Sequence, residues 1–202
     1  ERVIVGGMSA MVLSTKELIN SEMILYVVIA VIFCILVLEL SLDSYIDPLL
    51  LISNIGIAIL FNMGSNIFLG EISYITKAIA AVLQLGVTTD FSIFLYHKYE
   101  RAKKEEKDKN KAMASAIRET LTSVFGSSLT TIAGFLALCT MNLTLGRDIG
   151  IVMAKGVLLG LICVITFFPA LLLACDKIIE KTKHKELLPQ FKGVQKFVLK
   201  HY

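Results

Sequence analysis

Residues that build metal sites, disulfide frameworks and nucleotide sites are scarce in this sequence. It has three histidines and four cysteines, and no two cysteines form a Cys-x-x-Cys pair. Structural zinc sites and disulfide frameworks need such spacings, so the cysteines are expected to be small buried hydrophobic side chains. The glycine-rich P-loop signature is also missing, which excludes a built-in ATPase of that class. The sequence thus predicts no enzyme, no cofactor or metal, and no nucleic-acid partner.

Charged residues are also scarce, and they collect between long apolar blocks. Hydrophobic residues make up 55% of the 202 residues and charged residues 18%. A helix that crosses a hydrocarbon core of about 30 Å needs roughly 20 apolar residues. Five segments have this length, and they cannot all be buried in one soluble core of this size. The sequence therefore predicts an all-α fold, a polytopic membrane bundle with spans at about 18–40, 46–69, 74–96, 121–143 and 149–175.

Lysine and arginine are concentrated in two segments. Of the 20 basic residues, eight lie within 98–118 and seven within 177–200. Basic loops face the cytoplasm, and five alternating spans put both segments on that side. We therefore predict a cytoplasmic hairpin at 41–47, a cytoplasmic basic amphipathic linker at 97–120, and a basic amphipathic cytoplasmic tail at 176–202.

Local signals mark helix boundaries and contacts. Residues 14–17, Ser-Thr-Lys-Glu, form a capping-box pattern that predicts a helix start just before the first span. Pro48 fits a first helical turn, and Pro169 predicts a bend inside the fifth span. Gly156 and Gly160 form a Gly-x-x-x-Gly pattern, which predicts a close contact between helices.

Asp90 is the most informative residue for function. It lies six residues before Tyr96, where the third span ends, and this spacing is roughly 9 Å of helix. A charge at the centre of a span costs about 2.5–3.5 kcal/mol, and desolvation favours the neutral carboxylic acid. Asp90 is therefore expected to face the bundle interior and to take up and release protons. An interfacial aspartate capped by Thr88, Ser92 or water is the alternative.

Two other polar features lie inside the spans. A cluster of hydroxyl side chains near the start of the fourth span lies at the depth of Asp90. It would supply donors and a water path to that carboxyl group, or serve only as contacts between closely packed helices. Lys155 is the second intramembrane charge, and it either extends toward the outer interface or is the charge partner of a carboxylate. The hydroxyl cluster consists of Ser127, Ser128, Thr130 and Thr131.

Several stretches of the chain resemble one family of transporters. The chain resembles the MMPL branch of the resistance–nodulation–division superfamily, whose members export lipids and hydrophobic compounds. The most specific stretch is Gly86–Glu100, which begins Gly-Val-Thr-Thr-Asp-Phe. The resemblance covers nearly the whole chain and is carried by Val5–Ala10, Gly86–Glu100, Thr130–Phe135, Gly146–Gly150 and Phe168–Leu171.

The resemblance implies that the chain is helices two to six of one half of a twelve-helix transporter. Residues 1–17 would then be the end of an extracytoplasmic porter domain and its lead-in. Residues 18–175 would be the five-helix transmembrane domain, and residues 176–202 would lead to a second half that lies outside this sequence. The chain is accordingly expected to be a piece of a larger protein and to work with the other half of the same transporter.

The resemblance also implies a role for Asp90. The family uses a carboxylate at this position of the fourth helix as a proton relay that couples proton influx to export. Members often carry a tyrosine after it, whereas this chain has Phe91, which cannot donate a hydrogen bond. Ser92 or the hydroxyl cluster would have to substitute. The relay neighbours named on this basis are Thr89, Phe91, Ser92, Ser127, Ser128 and Thr131.

These features together predict part of a proton-motive-force-driven exporter of lipids or other hydrophobic compounds in the cell membrane. Its expected partners are membrane lipids, protons and a hydrophobic substrate. Two alternatives stay open, a sterol- or lipid-sensing membrane module and an accessory subunit of proton-driven protein export. An Asp90→Asn substitution separates a transporter from a sensor, because it should abolish transport and leave lipid binding intact.

Overall fold

Five long helices form the part of the chain that the structure, a computed structural model, describes, which is residues 7–70 and 72–183. All five are long and apolar enough to cross a membrane, so the predicted all-α bundle of five spans is confirmed. Short 3₁₀ turns, Ser65–Leu69 and Leu138–Thr140, follow the second and fourth helices. The helices are α1 (Met8–Ser41), α2 (Asp47–Gly64), α3 (Tyr74–Glu105), α4 (Lys109–Ala137) and α5 (Thr144–Lys181).

The start of α1 differs from the prediction. The helix begins at Met8, so the capping-box residues 14–17 lie inside it and the predicted start at that pattern is wrong. The Thr15 hydroxyl donates to the Met11 carbonyl at 2.8 Å, which is how a hydroxyl side chain is satisfied within a helix. A pattern that would cap a first turn is compatible with a helix interior when the preceding residues are also helical.

The linker predicted at 97–120 consists of the end of α3 and the start of α4. Only residues 106–108 between them are outside a helix. The Asp108 side chain caps α4 by accepting a hydrogen bond from the Asn110 amide at 3.0 Å, as expected for an aspartate at this position. Pro48 lies in the first turn of α2, as predicted. Pro169 lies inside α5, and the bend at this position stays a prediction.

The helix α5 is the centre of the bundle. It packs against α2, α3 and α4, whereas α1 lies at the edge and contacts α2 and α3. The core around α5 includes Phe168 and Leu172, which are fully buried. Only 6% of the apolar window of α1 is buried, so most of its surface is left for lipid or for another protein.

The connections divide between the two ends of the bundle. One end, called here the basic end, holds loops 42–46 and 106–108 and the residues after α5. There the Ser44 and Thr182 hydroxyls lie 2.6 Å apart. At the opposite end, the Ser73 amide donates to the Asp148 carboxylate at 3.3 Å. Residues 1–6 of the predicted porter-domain end and the tail from residue 184 onward lie outside the described residues.

Candidate functional site

Asp90 lies on the outward face of α3. Its side chain is exposed, and it borders a shallow groove of about 320 Å³ that extends toward the basic end along Phe94, His97, Lys98 and Arg101. The residues two positions away on either side lie about 200° around the helix, and they take the inward face. The carboxyl group therefore points away from this bundle, not into its interior as the sequence suggested.

The neighbours of Asp90 in the sequence have other partners. Thr89 is buried and its hydroxyl donates to the Leu85 carbonyl at 2.5 Å. Phe91 is buried in the apolar core. Ser92 is fully buried and its hydroxyl donates to the Thr88 carbonyl at 2.8 Å. In the described part of the chain, no hydrogen bond joins any of these side chains to Asp90.

The hydroxyl cluster of α4 is satisfied within its own helix. Ser127 and Ser128 both donate to the Val124 carbonyl, at 2.9 and 2.6 Å. Thr130 donates to the Gly126 carbonyl at 3.0 Å, and Thr131 to that of Ser127 at 2.9 Å. Ser128 is buried, whereas Ser127 and Thr130 are exposed, so these hydroxyls satisfy carbonyls of their own helix. This arrangement does not bring the cluster together with Asp90.

Lys155 has amide partners. Its ammonium group donates to the Asn62 carbonyl at 3.0 Å and to the Asn66 side-chain oxygen at 2.5 Å. No carboxylate lies within ion-pair distance of it among the described residues. The lysine thus joins α5 to the end of α2 opposite the basic end, through neutral oxygens.

A line of buried polar pairs crosses from α2 to α3, and we call it the polar ladder. The Asn54 amide donates to the Ser92 hydroxyl at 3.0 Å, and the Asn62 amide donates to the Gln84 side-chain oxygen at 2.7 Å. Nearest the basic end, the Tyr96 hydroxyl donates to the Asp47 carboxylate. Sequence reasoning missed these pairs, although amides inside apolar spans were a visible signal. The polar ladder comprises Asp47–Tyr96, Asn54–Ser92, Asn62–Gln84 and the adjacent Thr88.

A second charged cluster closes the basic end. Asp176 has 2% of its surface exposed, and its carboxylate accepts from Lys103 at 2.5 Å and from Lys109. The Tyr99 hydroxyl donates to it at 3.3 Å. Glu180 adds a second carboxylate within 3.4 Å of the Lys103 ammonium. Since a buried charge is tolerated when paired and hydrogen-bonded, this cluster holds α3, α4 and α5 together.

An apolar groove of about 380 Å³ lies between α1 and α3 toward the opposite end. Its walls include Tyr26 of α1 and Leu83 of α3, both exposed to the surroundings of the bundle. The groove suits an acyl chain or another hydrophobic group because nearly all of its surface is aliphatic or aromatic. The remaining lining residues are Leu18, Glu22, Val27, Ile75, Ala78, Ile79 and Val82.

The described ranges contain no candidate metal cluster and no disulfide bond. Residues 7–70 and 72–183 contain no group of three His, Cys, Asp or Glu side chains that could hold a metal ion. All four cysteines are free; Cys163 is buried and the other three are half-buried.

Comparison with known proteins assigns the family. The model of the MMPL family matches residues 1–192. The chain is 25% identical over 178 residues to the siderophore exporter MmpL5 of Mycobacterium tuberculosis, a match that covers 85% of this chain and 18% of that protein. It is 27% identical over 173 residues to a Mycobacterium leprae protein named "probable transport protein MmpL4", covering 83% of this chain and 18% of the relative.

Further relatives occur in a bacterium outside the mycobacteria and in an archaeon. Membrane protein YdfJ of Bacillus subtilis is 25% identical over 164 residues, 78% of this chain and 22% of YdfJ. A membrane protein of Methanocaldococcus jannaschii is 33% identical over 111 residues, 55% of this chain and 27% of the relative. The chain thus spans about a quarter or less of the length of these relatives, and no solved structure matches it. Its five apolar helices and the match to the MMPL model over residues 1–192 identify the chain as a multi-pass membrane protein of the MMPL family, a branch of the resistance–nodulation–division superfamily.

Proposed function

We propose that this chain is the five-helix transmembrane part of one half of a proton-driven exporter of lipids or other hydrophobic compounds, with Asp90 as its intramembrane proton relay. Membership of the MMPL family supports export, since one relative is named a siderophore exporter and another a transport protein. The observation that carries the proposal is the exposed carboxyl group of Asp90 on a helix long enough to span the membrane.

An aspartate that points outward from a membrane span needs a protein surface that shields it from lipid. A carboxylate against lipid costs several kcal/mol, so the face of α3 that holds Asp90 is expected to be covered by the other half of the transporter. That half would supply the hydrogen-bond or charge partner that residues 7–70 and 72–183 do not contain. The groove beside Asp90 continues to Lys98 and Arg101, which gives the carboxyl group a polar route toward the basic end, proposed here to be cytoplasmic.

Protonation of Asp90 would change how the two halves pack. Packing an apolar surface against the charged carboxylate costs desolvation free energy, and this cost is much smaller for the neutral acid. Moving one proton charge through 100 mV releases about 2.3 kcal/mol, which is enough to shift a two-state packing equilibrium by more than tenfold. The coupling element in this scheme is the face of α3 around Asp90.

The apolar groove between α1 and α3 supports a hydrophobic substrate. It shares the outward side of α3 with Asp90, and exposed Leu83 lies seven residues, or about two helical turns, from the carboxyl group. A lipid or another apolar molecule would fit in this groove. A change in the packing of α3 would then alter the groove.

The test compares two aspartate variants of the complete transporter in vesicles. Asp90→Asn removes the titratable carboxyl group and keeps its shape, so export of a fluorescent lipid and the proton uptake that accompanies this export should both be lost while lipid binding persists. The matched control is Asp108→Asn, because asparagine is as good a helix cap as aspartate; it should export normally. Export by Asp90→Asn at the wild-type rate under a proton gradient would contradict the proposal and favour a different coupling residue.

A further inference from the structure

The polar ladder follows the inward faces of two antiparallel helices. Its three pairs are Asp47–Tyr96, Asn54–Ser92 and Asn62–Gln84, and all six residues have at most 1% of their surface exposed. Gln84 and Tyr96 lie twelve residues apart on α3, which is about 18 Å of helix axis. The ladder therefore covers more than half of a hydrocarbon core of about 30 Å.

The third wall of the ladder is a glycine surface of α5. A Cβ atom at Gly156 would lie 2.6 Å from the Asn62 amide nitrogen, and one at Gly160 would lie 2.7 Å from the Thr88 hydroxyl. The Gln84 amide donates to the Gly156 carbonyl at 3.2 Å. The Gly-x-x-x-Gly pattern makes the predicted close contact between helices. The space that its missing side chains leave is filled by polar side chains of α2 and α3.

Four buried oxygens of the ladder lack a hydrogen-bond partner among the described residues. An unmade hydrogen bond at a buried group costs about 1–3 kcal/mol, so four of them along one line call for donors. Three belong to carboxylate or amide groups, and these oxygens only accept. Water supplies donors at buried polar sites of this kind, where each molecule needs two to four polar partners. The oxygens are Asp47 Oδ1, Asn54 Oδ1, Asn62 Oδ1 and Thr88 Oγ1.

We propose that the polar ladder is a water-binding proton pathway through the interior of this bundle, with Asp47 as the group that accepts and releases the proton. The pathway goes beyond the proposed function, because it lies on the opposite side of α3 from Asp90 and shares with the surroundings of Asp90 only Thr88 and Ser92. Its ligands are water and the proton.

The proton step uses Oδ1 of Asp47, the carboxylate oxygen that has no hydrogen-bond partner among the described residues. The carboxylate Oδ1 accepts the proton from a hydronium ion at the adjacent water position, so an O–H bond forms at Oδ1 while one O–H bond of the hydronium breaks and a neutral water is left. The Tyr96 hydroxyl keeps donating to Oδ2. The proton then passes to water at the basic end, where the charged groups facing Asp47 are Asp43, Glu100 and Lys183. No oxidant or other reactant is needed.

Lys155 lies at the other end of the pathway. Its ammonium group is bonded to the Asn62 carbonyl, next to the last pair of the ladder, and to Asn66. A fixed positive charge at this place repels an entering proton. Lys155 therefore limits entry, and a Lys155→Gln variant is expected to raise the proton flux.

The experiment measures potential-driven proton flux into vesicles that contain the protein and a trapped pH dye. Asp47→Asn removes the acceptor, and Gly160→Ala puts a methyl group against Thr88 in the middle of the ladder; each should lose the flux. The matched controls keep it: Asp108→Asn removes a carboxylate elsewhere, and Gly56→Ala adds a methyl group on α2 where nothing lies within 4 Å. Wild-type flux in Asp47→Asn and Gly160→Ala would overturn the pathway.

Two further measurements separate this inference from the role of Asp90 and from misfolding. Asp90→Asn should keep the ladder flux even though it loses export, and complete loss of flux in that variant would overturn the separate pathway while leaving the Asp90 proposal intact. The second measurement is radiolytic hydroxyl labelling of the unaltered protein, which modifies side chains that lie next to water. It should modify Tyr96, which lies in the ladder, and spare Phe168, which is equally buried in the apolar core; equal protection of both rings would overturn the water-filled ladder.

Discussion

At the scale of single residues, burial separates charges that matter for stability from charges that do not. Asp176 is almost fully buried and binds two lysines. The Lys103 side chain is 14% exposed and that of Lys109 is 47% exposed. The same carboxylate therefore has one partner inside the protein and one at its surface, where water screens the attraction.

This difference predicts unequal effects of two identical substitutions. Lys103→Met leaves Asp176 without its buried partner and should lower the free energy of unfolding by about 3 kcal/mol. Lys109→Met removes a partner that is half in water, so its effect should be much smaller. Thermal unfolding in detergent measures both, and equal losses of stability would show that burial does not distinguish the two lysines.

Individual residues also show what the sequence could and could not predict. Asp90 stood out because a charge inside an apolar run is conspicuous. The sequence did not predict the direction in which the Asp90 side chain points, because the inward face of α3 depends on where α2 and α5 pack. Asn54 and Asn62 lie far in the sequence from Ser92 and Gln84, their respective partners, and each pair meets only through the antiparallel arrangement of α2 and α3. The individual amides are visible in the sequence, but a hydropathy average over each span does not show which of them pair.

At the scale of helices, the crossing of α4 and α5 depends on one glycine. A Cβ atom at Gly150 would lie 2.6 Å from the Phe135 carbonyl oxygen and 2.7 Å from the Cys139 sulfur. The first of these is a backbone atom, which cannot move without shifting α4. At Gly134 of α4, by contrast, nothing lies within 4 Å of an added Cβ atom.

Gly150→Ala is therefore expected to be destabilising by about 1–3 kcal/mol, as is typical of overpacking. The control Gly134→Ala should be neutral or stabilising by up to about 1 kcal/mol, because alanine loses less entropy than glycine in a helix. The midpoint of thermal unfolding distinguishes them. Equal midpoints for the two variants would mean that α4 and α5 separate easily at this crossing.

The number and order of the helices followed from the length of the apolar runs, since a membrane span sets a minimum length. The ends of the helices were less predictable. The helix α1 starts at Met8 and α3 continues to Glu105, in both cases beyond the apolar run. Hydropathy marks where a chain enters lipid, whereas backbone hydrogen bonding decides where the helix ends.

At the scale of the whole molecule, the connections alternate between two ends, and the basic segment around 106–108 shares its end with loop 42–46. The acidic loop 42–46 lacks lysine and arginine, so the orientation rests on the α3–α4 connection and on the residues after α5. We expect this end to face the cytoplasm.

Single cysteines in a cysteine-free background test this orientation. Lys107→Cys lies at the basic end, and an impermeant maleimide should label it only after the cells are permeabilised. Asn142→Cys lies in the loop before α5 at the opposite end and should be labelled in intact cells. The reverse pattern of labelling would invert the orientation and with it the direction of proton movement past Asp90.

The helix α3 is one uninterrupted helix from Tyr74 to Glu105, with Asp90 on one side and Ser92 and Tyr96 on the other. Because the helix is continuous, its two faces are joined rigidly and turn together. A small roll about its long axis that brings the outer carboxyl group nearer to a partner also turns the inner hydroxyl groups relative to α2. Events on the two sides of α3 would then be timed by a single rotation, without any signal passing through the rest of the fold.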